Sequence, residues 1–282
     1  APLPELVQSA LQRNQANDVM RAQNSLADAL QQRAELPLAG APTVNLRYQT
    51  DRIGSADGYR EWEGGVEMPL WLPGQAGSFA IEAERQRGLA AATAVEHHWL
   101  VAGEVRKRLW SAALTQAEQQ QALAARELAE ELVSDVRVRV QAGELPRSDL
   151  LLAQKELLLR EHDSLQAASQ AGQAAESLQR FTGLPHSDAR PLEEVVRQEP
   201  ELTQHPRLAR LRDAAARARA HRDRVSKNLG EGPSLWLGGK RSRDAFGSDY
   251  ASAVGVEISM PIGGRAFNGS ELAEAELALT EA

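Results

Sequence analysis

From Gln75 to Ala142 the sequence contains no proline, and only isolated glycines interrupt its helix-forming residues. A helix of about 67 residues is roughly 100 Å long at 1.5 Å per residue. Globular helices usually run about 8–20 residues, so this one is too long for a compact core and needs other helices beside it. Gly143 suits the left-handed position that ends a helix, and Pro146 suits the first turn of the next. The segment AGELPRSD (142–149) therefore reads as a tight turn between antiparallel helices. A return helix is expected over 147–182, stopped by Gly183 and Pro185. Positions 150, 157, 164, 171 and 178 are Leu, Leu, Ser, Ala and Leu; positions 153, 160, 167, 174 and 181 are Ala, Arg, Ala, Ala and Phe. That heptad-like seam of small residues fits close coiled-coil packing.

Ahead of the long helix, residues 3–34 show helical spacing (Leu3, Leu6, Ala10, Leu11, then Leu26, Ala27, Leu30), ended by Pro37, Gly40 and Pro42. Residues 43–50 then alternate, with Val44, Leu46 and Tyr48 on one face and Asn45, Arg47 and Gln49 on the other. A polar loop (51–60) leads to a return strand at 61–70, in which Val66, Met68 and Leu70 alternate with Gly65, Glu67 and Pro69. After a proline-marked link (184–200) the order starts again: a helix over 201–228, a strand at 234–239, a polar loop at 240–250 and a strand at 251–262. In that last strand Val254, Val256, Ile258, Met260 and Ile262 alternate with Gly255, Glu257 and Ser259. A further helix starts near Ser270.

The second series copies the first. Pro42-Thr-Val-Asn-Leu-Arg-Tyr is matched by Pro233-Ser-Leu-Trp-Leu-Gly-Gly, Met68-Pro-Leu by Met260-Pro-Ile, and Asn14-Gln15 by His205-Pro206, at offsets of 191 or 192 residues. Solenoid repeats have periods of about 20–50 residues, so this is a duplicated domain-sized unit. The reading is a first repeat over 1–198, with hairpin 43–70, long helix 75–142 and return helix 147–182, and an incomplete second repeat over 199–282, with hairpin 234–262. The second copy stops part-way, and a C-terminally truncated chain is expected. The expected fold class is mainly α with two β-hairpins.

Composition narrows the function. The hydrophobic fraction is 42% but aromatics are only 4%, which is thin for a globular core and fits long helices packed through alanine. The chain has no cysteine, hence no disulfide framework and no thiolate metal site. A net charge of −7 argues against a nucleic-acid binder. The arginines at 207, 210, 212, 217, 219, 222 and 224 lack interleaved aromatics and are offset by Asp213 and Asp223, so a solvated helix face is expected there. His97-His98 beside Glu96 is no metal site by spacing, since adjacent helical residues point about 100° apart. No nucleophile elbow, phosphate-binding glycine loop or paired-carboxylate motif appears, so neither an enzyme nor a cofactor is expected.

Strands of about 9–11 residues with one apolar face can cross a bilayer when tilted. Four of them cannot close a barrel, which needs at least about eight, so closure would need several chains. Soluble hairpins on a domain core fit the same pattern. Trp62, Trp71 and Trp236 flank the strands where an interfacial aromatic belt would sit, and ordinary packing explains them equally well.

The order of elements, with the segments VQAGELPRSDLLLAQ (140–154), EGGVEMPLWLPGQ (63–75), HPRLARLRDAAARARA (205–220), GPSLWLG (232–238) and VGVEISMPIGGR (254–265), resembles the TolC-like outer-membrane efflux proteins over nearly the whole chain. The wording AGELPRSDLLLA is most similar to the heavy-metal cation branch, which works with resistance-nodulation-division pumps. The resemblance implies a homotrimer whose long antiparallel coiled-coil helices form part of a periplasmic α-barrel and whose hairpins form a twelve-stranded transmembrane β-barrel in outer-membrane lipid. It also implies a periplasmic adaptor and an inner-membrane pump as partners, and a passive export conduit for metal cations or small toxic compounds. The chain departs from the pattern in lacking a second long-helix pair and an N-terminal cysteine for a lipid anchor.

On that resemblance Val140, Gly143, Glu144, Leu145, Ser148 and Asp149 match the tunnel tip, where the adaptor docks and the channel gates. These residues also suffice simply to build a turn and start a helix. Glu67 and Glu257 fall on the polar strand faces, are expected to face the lumen, and there favour cations; plain solvation of a wet interior accounts for them too. A periplasmic adaptor also carries a long helical hairpin, but it would flank one hairpin with half-lipoyl β segments. A soluble coiled-coil scaffold would need no detergent.

Overall fold

A computed structural model describes residues 2–13, 16–185, 201–227, 232–262 and 268–282. Its elements are α1 (Leu3–Arg13), α2 (Ala16–Glu35), β1 (Thr43–Thr50), β2 (Arg60–Pro69), α3 (Gln75–Gln141), α4 (Arg147–Thr182), a 3₁₀ turn (Leu202–Gln204), α5 (Pro206–Lys227), β3 (Ser234–Arg243), β4 (Ala251–Ser259) and α6 (Gly269–Glu281). The 67-residue helix and its 36-residue return are present as expected. Among the described residues no helix is long and apolar enough to cross a membrane.

Several boundaries differ from the sequence reading. The helix expected over 3–34 is described as two, α1 and α2, with Asn14 and Gln15 outside the described residues. The helix expected from 201 begins at Pro206, after the 3₁₀ turn, because proline lacks the N–H needed inside a helix and favours its first turn. Strand β3 runs on to Arg243 through residues read as a polar loop, since Lys240, Arg241, Ser242 and Arg243 all pair with β2. Pairing with a neighbouring strand here overrides the low strand preference of Lys and Ser. Strand β4 ends at Ser259 rather than at Ile262, next to Pro261, which cannot donate to a ladder. Most of the expected link, 186–200, lies outside the described residues.

The chain forms two compact units, residues 1–17 with 95–200 and residues 18–94 with 201–282. They divide the chain differently from the two expected repeats, and both hairpins fall in the second unit. The core of the first unit is aliphatic: Leu6, Val7 and Ala10 of α1, Val101, Val105 and Leu109 of α3, and Leu178 of α4. Phe181 and Leu184 pack against its edge, and the Arg108 guanidinium stacks over the Phe181 ring at 4.7 Å. The Ser9 hydroxyl donates to the Thr182 carbonyl at 2.6 Å, tying α1 to the end of α4. Along α4 the inward face carries Ala153, Ser164 and Leu178, all members of the seam seen in the sequence. Arg160 is the seam position that departs: its side chain reaches out to Glu156 and Asp163.

The second unit buries small and polar residues instead. Ala27, Ala83, Ala90, Ala218, Ala220 and Ala275 are buried, and so are Gln75, Ser78, Glu82 and Gln86 on α3. Its four strands form one antiparallel sheet in the order β1-β2-β3-β4. Where strands give way to helix, Trp71 donates its indole N–H to the Leu36 carbonyl at 2.8 Å and meets Phe79 edge-on at 5.6 Å.

Candidate functional site

Cross-strand pairing sorts the sheet residues into two faces. Residues directly opposite each other in an antiparallel pair share a face. One face is built from the rows Met68–Leu235–Ile258, Val44–Val66–Leu237–Val256, Leu46–Gly64–Gly239–Val254 and Tyr48–Trp62–Arg241–Ser252. The other is built from Thr43–Glu67–Trp236–Glu257, Asn45–Gly65–Gly238–Gly255, Arg47–Glu63–Lys240–Ala253 and Gln49–Glu61–Ser242–Ala251. The apolar alternation of four separate strands thus merges into one apolar face. That face is uncovered: Leu46 is 85% exposed and Val254 90%. A contiguous apolar surface of this kind marks a membrane or protein contact. Ten residues at about 3.3 Å each reach roughly 33 Å, enough to cross the apolar band of a bilayer when tilted. Within the sheet, β1 and β4 are its two outer strands.

The polar face places Glu67 and Glu257 in one row, on either side of Trp236. Glu67 accepts from the Ser234 hydroxyl at 2.8 Å and from the Asn45 amide at 3.5 Å, whereas Glu257 stands exposed. Further along, charges neutralise one another: Lys240 meets Glu61 at 2.8 Å and Arg47 meets Glu63 at 3.6 Å. The Trp236 ring lies over the neighbouring row of glycines. A Cβ at Gly65 or Gly238 would come within 2.4 or 2.2 Å of it, so only glycine lets the indole rest on the wall. The three tryptophans therefore do not share one face. Trp62 is on the apolar face, stacked on Tyr48 at 4.3 Å, Trp236 is on the polar one, and Trp71 lies beyond the end of β2.

The hairpin loops close through side chains. The Asp51 carboxylate accepts from the Gly58 N–H at 3.0 Å and the Ser55 hydroxyl at 3.2 Å. Desolvation alone would raise this carboxyl, but these bonds and the nearby Tyr59 backbone outweigh it and hold Asp51 below its ordinary value. The two loops also meet, with the Phe246 N–H donating to the Asp57 carbonyl at 2.8 Å.

The turn between α3 and α4 has the geometry expected of it. Gly143 adopts φ 76°, a left-handed conformation that a side chain resists. Its N–H reaches the Val140 carbonyl at 3.1 Å, and the Glu144 N–H reaches that of Arg139 at 2.9 Å. A Cβ at Gly143 would meet nothing within 4 Å, so the turn is open to an approaching partner. Glu144 and Ser148 are exposed, while Leu145 and Asp149 are half-buried; the Ser148 hydroxyl donates to Asp149 at 3.3 Å. Just behind, a groove between the helices is lined by Leu132, Val136, Asp149, Leu152 and Leu159.

One feature escaped the sequence reading. Glu82 on α3 is 1% exposed and carries His221 at 2.9 Å, Arg217 at 3.6 Å and Arg224 in direct contact. Arg217 also donates to Gln86 at 3.1 Å, and Arg224 stacks over Phe79 at 4.8 Å. Two arginines assigned to a solvated helix face therefore turn inward. The available signal was the spacing of Arg217, His221 and Arg224, four and three residues apart, on one side of α5. Among the described residues no group of three or more His, Cys, Asp or Glu is placed to hold a metal ion.

The sequence matches no protein-family profile and no curated protein. Solved structures do match. CusC, described for folding and transmembrane channel formation, aligns with 99% of this chain and 70% of its own, at TM-score 0.68 and 18% identity. The outer membrane protein VceC of Vibrio cholerae aligns with 99% of this chain and 73% of its own, at 0.67 and 17%. The open-state MtrE outer membrane channel of Neisseria gonorrhoeae aligns with 99% and 67%, at 0.67 and 19%. Over nearly its whole length the chain thus has the fold of these TolC-like outer-membrane proteins.

Proposed function

We propose that the protein is the outer-membrane channel component of a tripartite efflux pump, a passive conduit that performs no chemistry. The observation that carries this reading is the sheet. Among the described residues its apolar face is bare across all four strands, its opposite face is charged and glycine-lined, and β1 and β4 each have a free side. Free strand edges are not tolerated in lipid, so neighbouring copies must supply the missing pairs. Three copies give the twelve strands implied by the family resemblance, in a homotrimer with the helices in the periplasm. The likeness to outer-membrane channels supports the same reading. Two joined hairpins in one sheet also count against a periplasmic adaptor. The two stretches 1–198 and 199–282 are read as copies of one ancestral unit.

In this assembly the open turn at Val140, Gly143, Glu144, Leu145, Ser148 and Asp149 docks the adaptor, and Glu67 and Glu257 line the lumen and favour cations. Metal cations as cargo, and a resistance-nodulation-division pump as the energy source, rest on the wording of the turn segment. The test is single-channel recording of the purified chain in planar bilayers. Stable cation-preferring pores are expected, and Glu67→Gln with Glu257→Gln lowers the preference; no pore at any concentration overturns the reading. In cells Gly143→Trp abolishes export while the helical circular dichroism stays unchanged, and undiminished export removes the docking role.

A further inference from the structure

The outward apolar face ends, toward the hairpin loops, in arginines. Its last two rows are Tyr48–Trp62–Arg241–Ser252 and Thr50–Arg60–Arg243, so three guanidinium groups and no carboxylate occupy them. The side chains confirm the placement. Arg241 lies over the Tyr250 ring at 4.9 Å and Arg243 over the same ring at 5.3 Å, so both flank one aromatic. Arg243 also donates to the Gly58 carbonyl at 3.3 Å. Among the described residues neither Arg241 nor Arg243 has a carboxylate partner, in contrast to Arg47 and Lys240 on the opposite face. Next to them the wall is dented. Gly64 pairs with Gly239; the Leu46 side chain leans over Gly64, where a Cβ would meet it at 3.0 Å, and the open space over Gly239 is a groove bounded by Leu46, Trp62 and Arg241.

We infer that this dent is a binding site for a phosphate-bearing anionic membrane lipid, one acyl chain lying over Gly239 beside Leu46 and the phosphate on Arg241 and Arg243. This rests on the proposed membrane-spanning role of the sheet. An arginine on an outward-facing strand position opposes insertion at the bilayer midplane, and the opposition fades toward the interface. One of them in the aromatic row and two just past it therefore place that row at the lipid headgroups. There a guanidinium binds phosphate through two parallel bonds. Stacking on Tyr250 holds two of the forks in place beforehand.

The test incorporates the full chain into vesicles of phosphatidylcholine alone, or with phosphatidylglycerol or lipid A at matched charge. Native mass spectrometry after mild extraction then reads the retained lipid. Wild type is expected to keep anionic lipid over phosphatidylcholine by about tenfold or more, as an interfacial arginine contributes about 1 kcal/mol. Arg241→Gln with Arg243→Gln brings the ratio near one, and Arg47→Gln leaves it unchanged. Gly239→Leu fills the dent and lowers retention with every arginine kept; a Cβ there meets only the Ala253 carbonyl, at an ordinary 3.5 Å. Undiminished retention in both the double variant and Gly239→Leu overturns the inference, while incorporation into phosphatidylcholine leaves the membrane reading standing. Failure of wild type to enter any vesicle overturns that reading and this inference with it.

Discussion

Helix α3 is held in two different ways in its two units. In the first unit Val101, Val105 and Leu109 meet Leu6, Val7 and Leu178 in an aliphatic cluster. In the second, Glu82 and Gln86 meet Arg217, His221 and Arg224 of α5. Aliphatic contacts are non-directional, so helices can slide by small amounts and keep most of the burial. A buried carboxylate is not so tolerant, because unpaired burial costs several kcal/mol and only one register of α5 brings the cations to it. The ionic junction therefore sets alignment, and the aliphatic one supplies adhesion. The aligned junction belongs to the unit that carries the sheet, where a slip of one residue would turn every apolar strand residue to the wrong face.

Removing the charge is the most direct way to break the contrast. Glu82→Ala leaves two arginines and a histidine around an uncompensated site, and about 3–5 kcal/mol of destabilisation is expected in denaturant unfolding. A cost under about 1 kcal/mol would show that the cluster is solvated and sets nothing. Leu178→Ala tests the other side: about 2–5 kcal/mol is expected from lost burial and the cavity left behind. The two should also differ in kind. Added salt should leave the Leu178→Ala cost unchanged, and it should reduce the Glu82→Ala cost only slightly, since buried pairs are poorly screened. At the bottom of the scale is the exposed pair Arg87–Asp28, at 3.2 Å between α3 and α2. Asp28→Ala should cost under about 1 kcal/mol and lose even that in high salt. A larger, salt-resistant effect would mean that burial is not what separates Glu82 from an ordinary surface pair.

The helical parts were legible because their signals are local. The proline-free run, Gly143 and Pro146 marked α3, the turn and α4 to within a residue, and the seam through Ala153, Ser164 and Leu178 pointed to the inward face. The alternation in each strand was legible too, since side-chain direction has a period of two. The end of β3 was not: Lys240, Arg241, Ser242 and Arg243 look like a loop until β2 is beside them. The seat of the Trp236 ring was not legible for the same reason. Only the glycines of three strands in one row give its ring a place to lie, and Gly65 and Gly255 are remote from it in sequence. Of the proposed site residues, the tip segment was bounded by its own turn chemistry, and Glu67 and Glu257 became neighbours of Trp236 only through pairing.

Periodicity and helix breakers thus established which segments are helix or strand, their order, and which side of each strand is apolar, because these depend on the backbone and on near neighbours alone. The joining of two hairpins through β2 and β3, the merging of four apolar stripes into one bare face, the row of arginines above it and the burial of Glu82 against α5 were settled by tertiary contacts. Each needs residues more than a hundred positions apart to meet, and no local pattern encodes which distant partner will complete a pair.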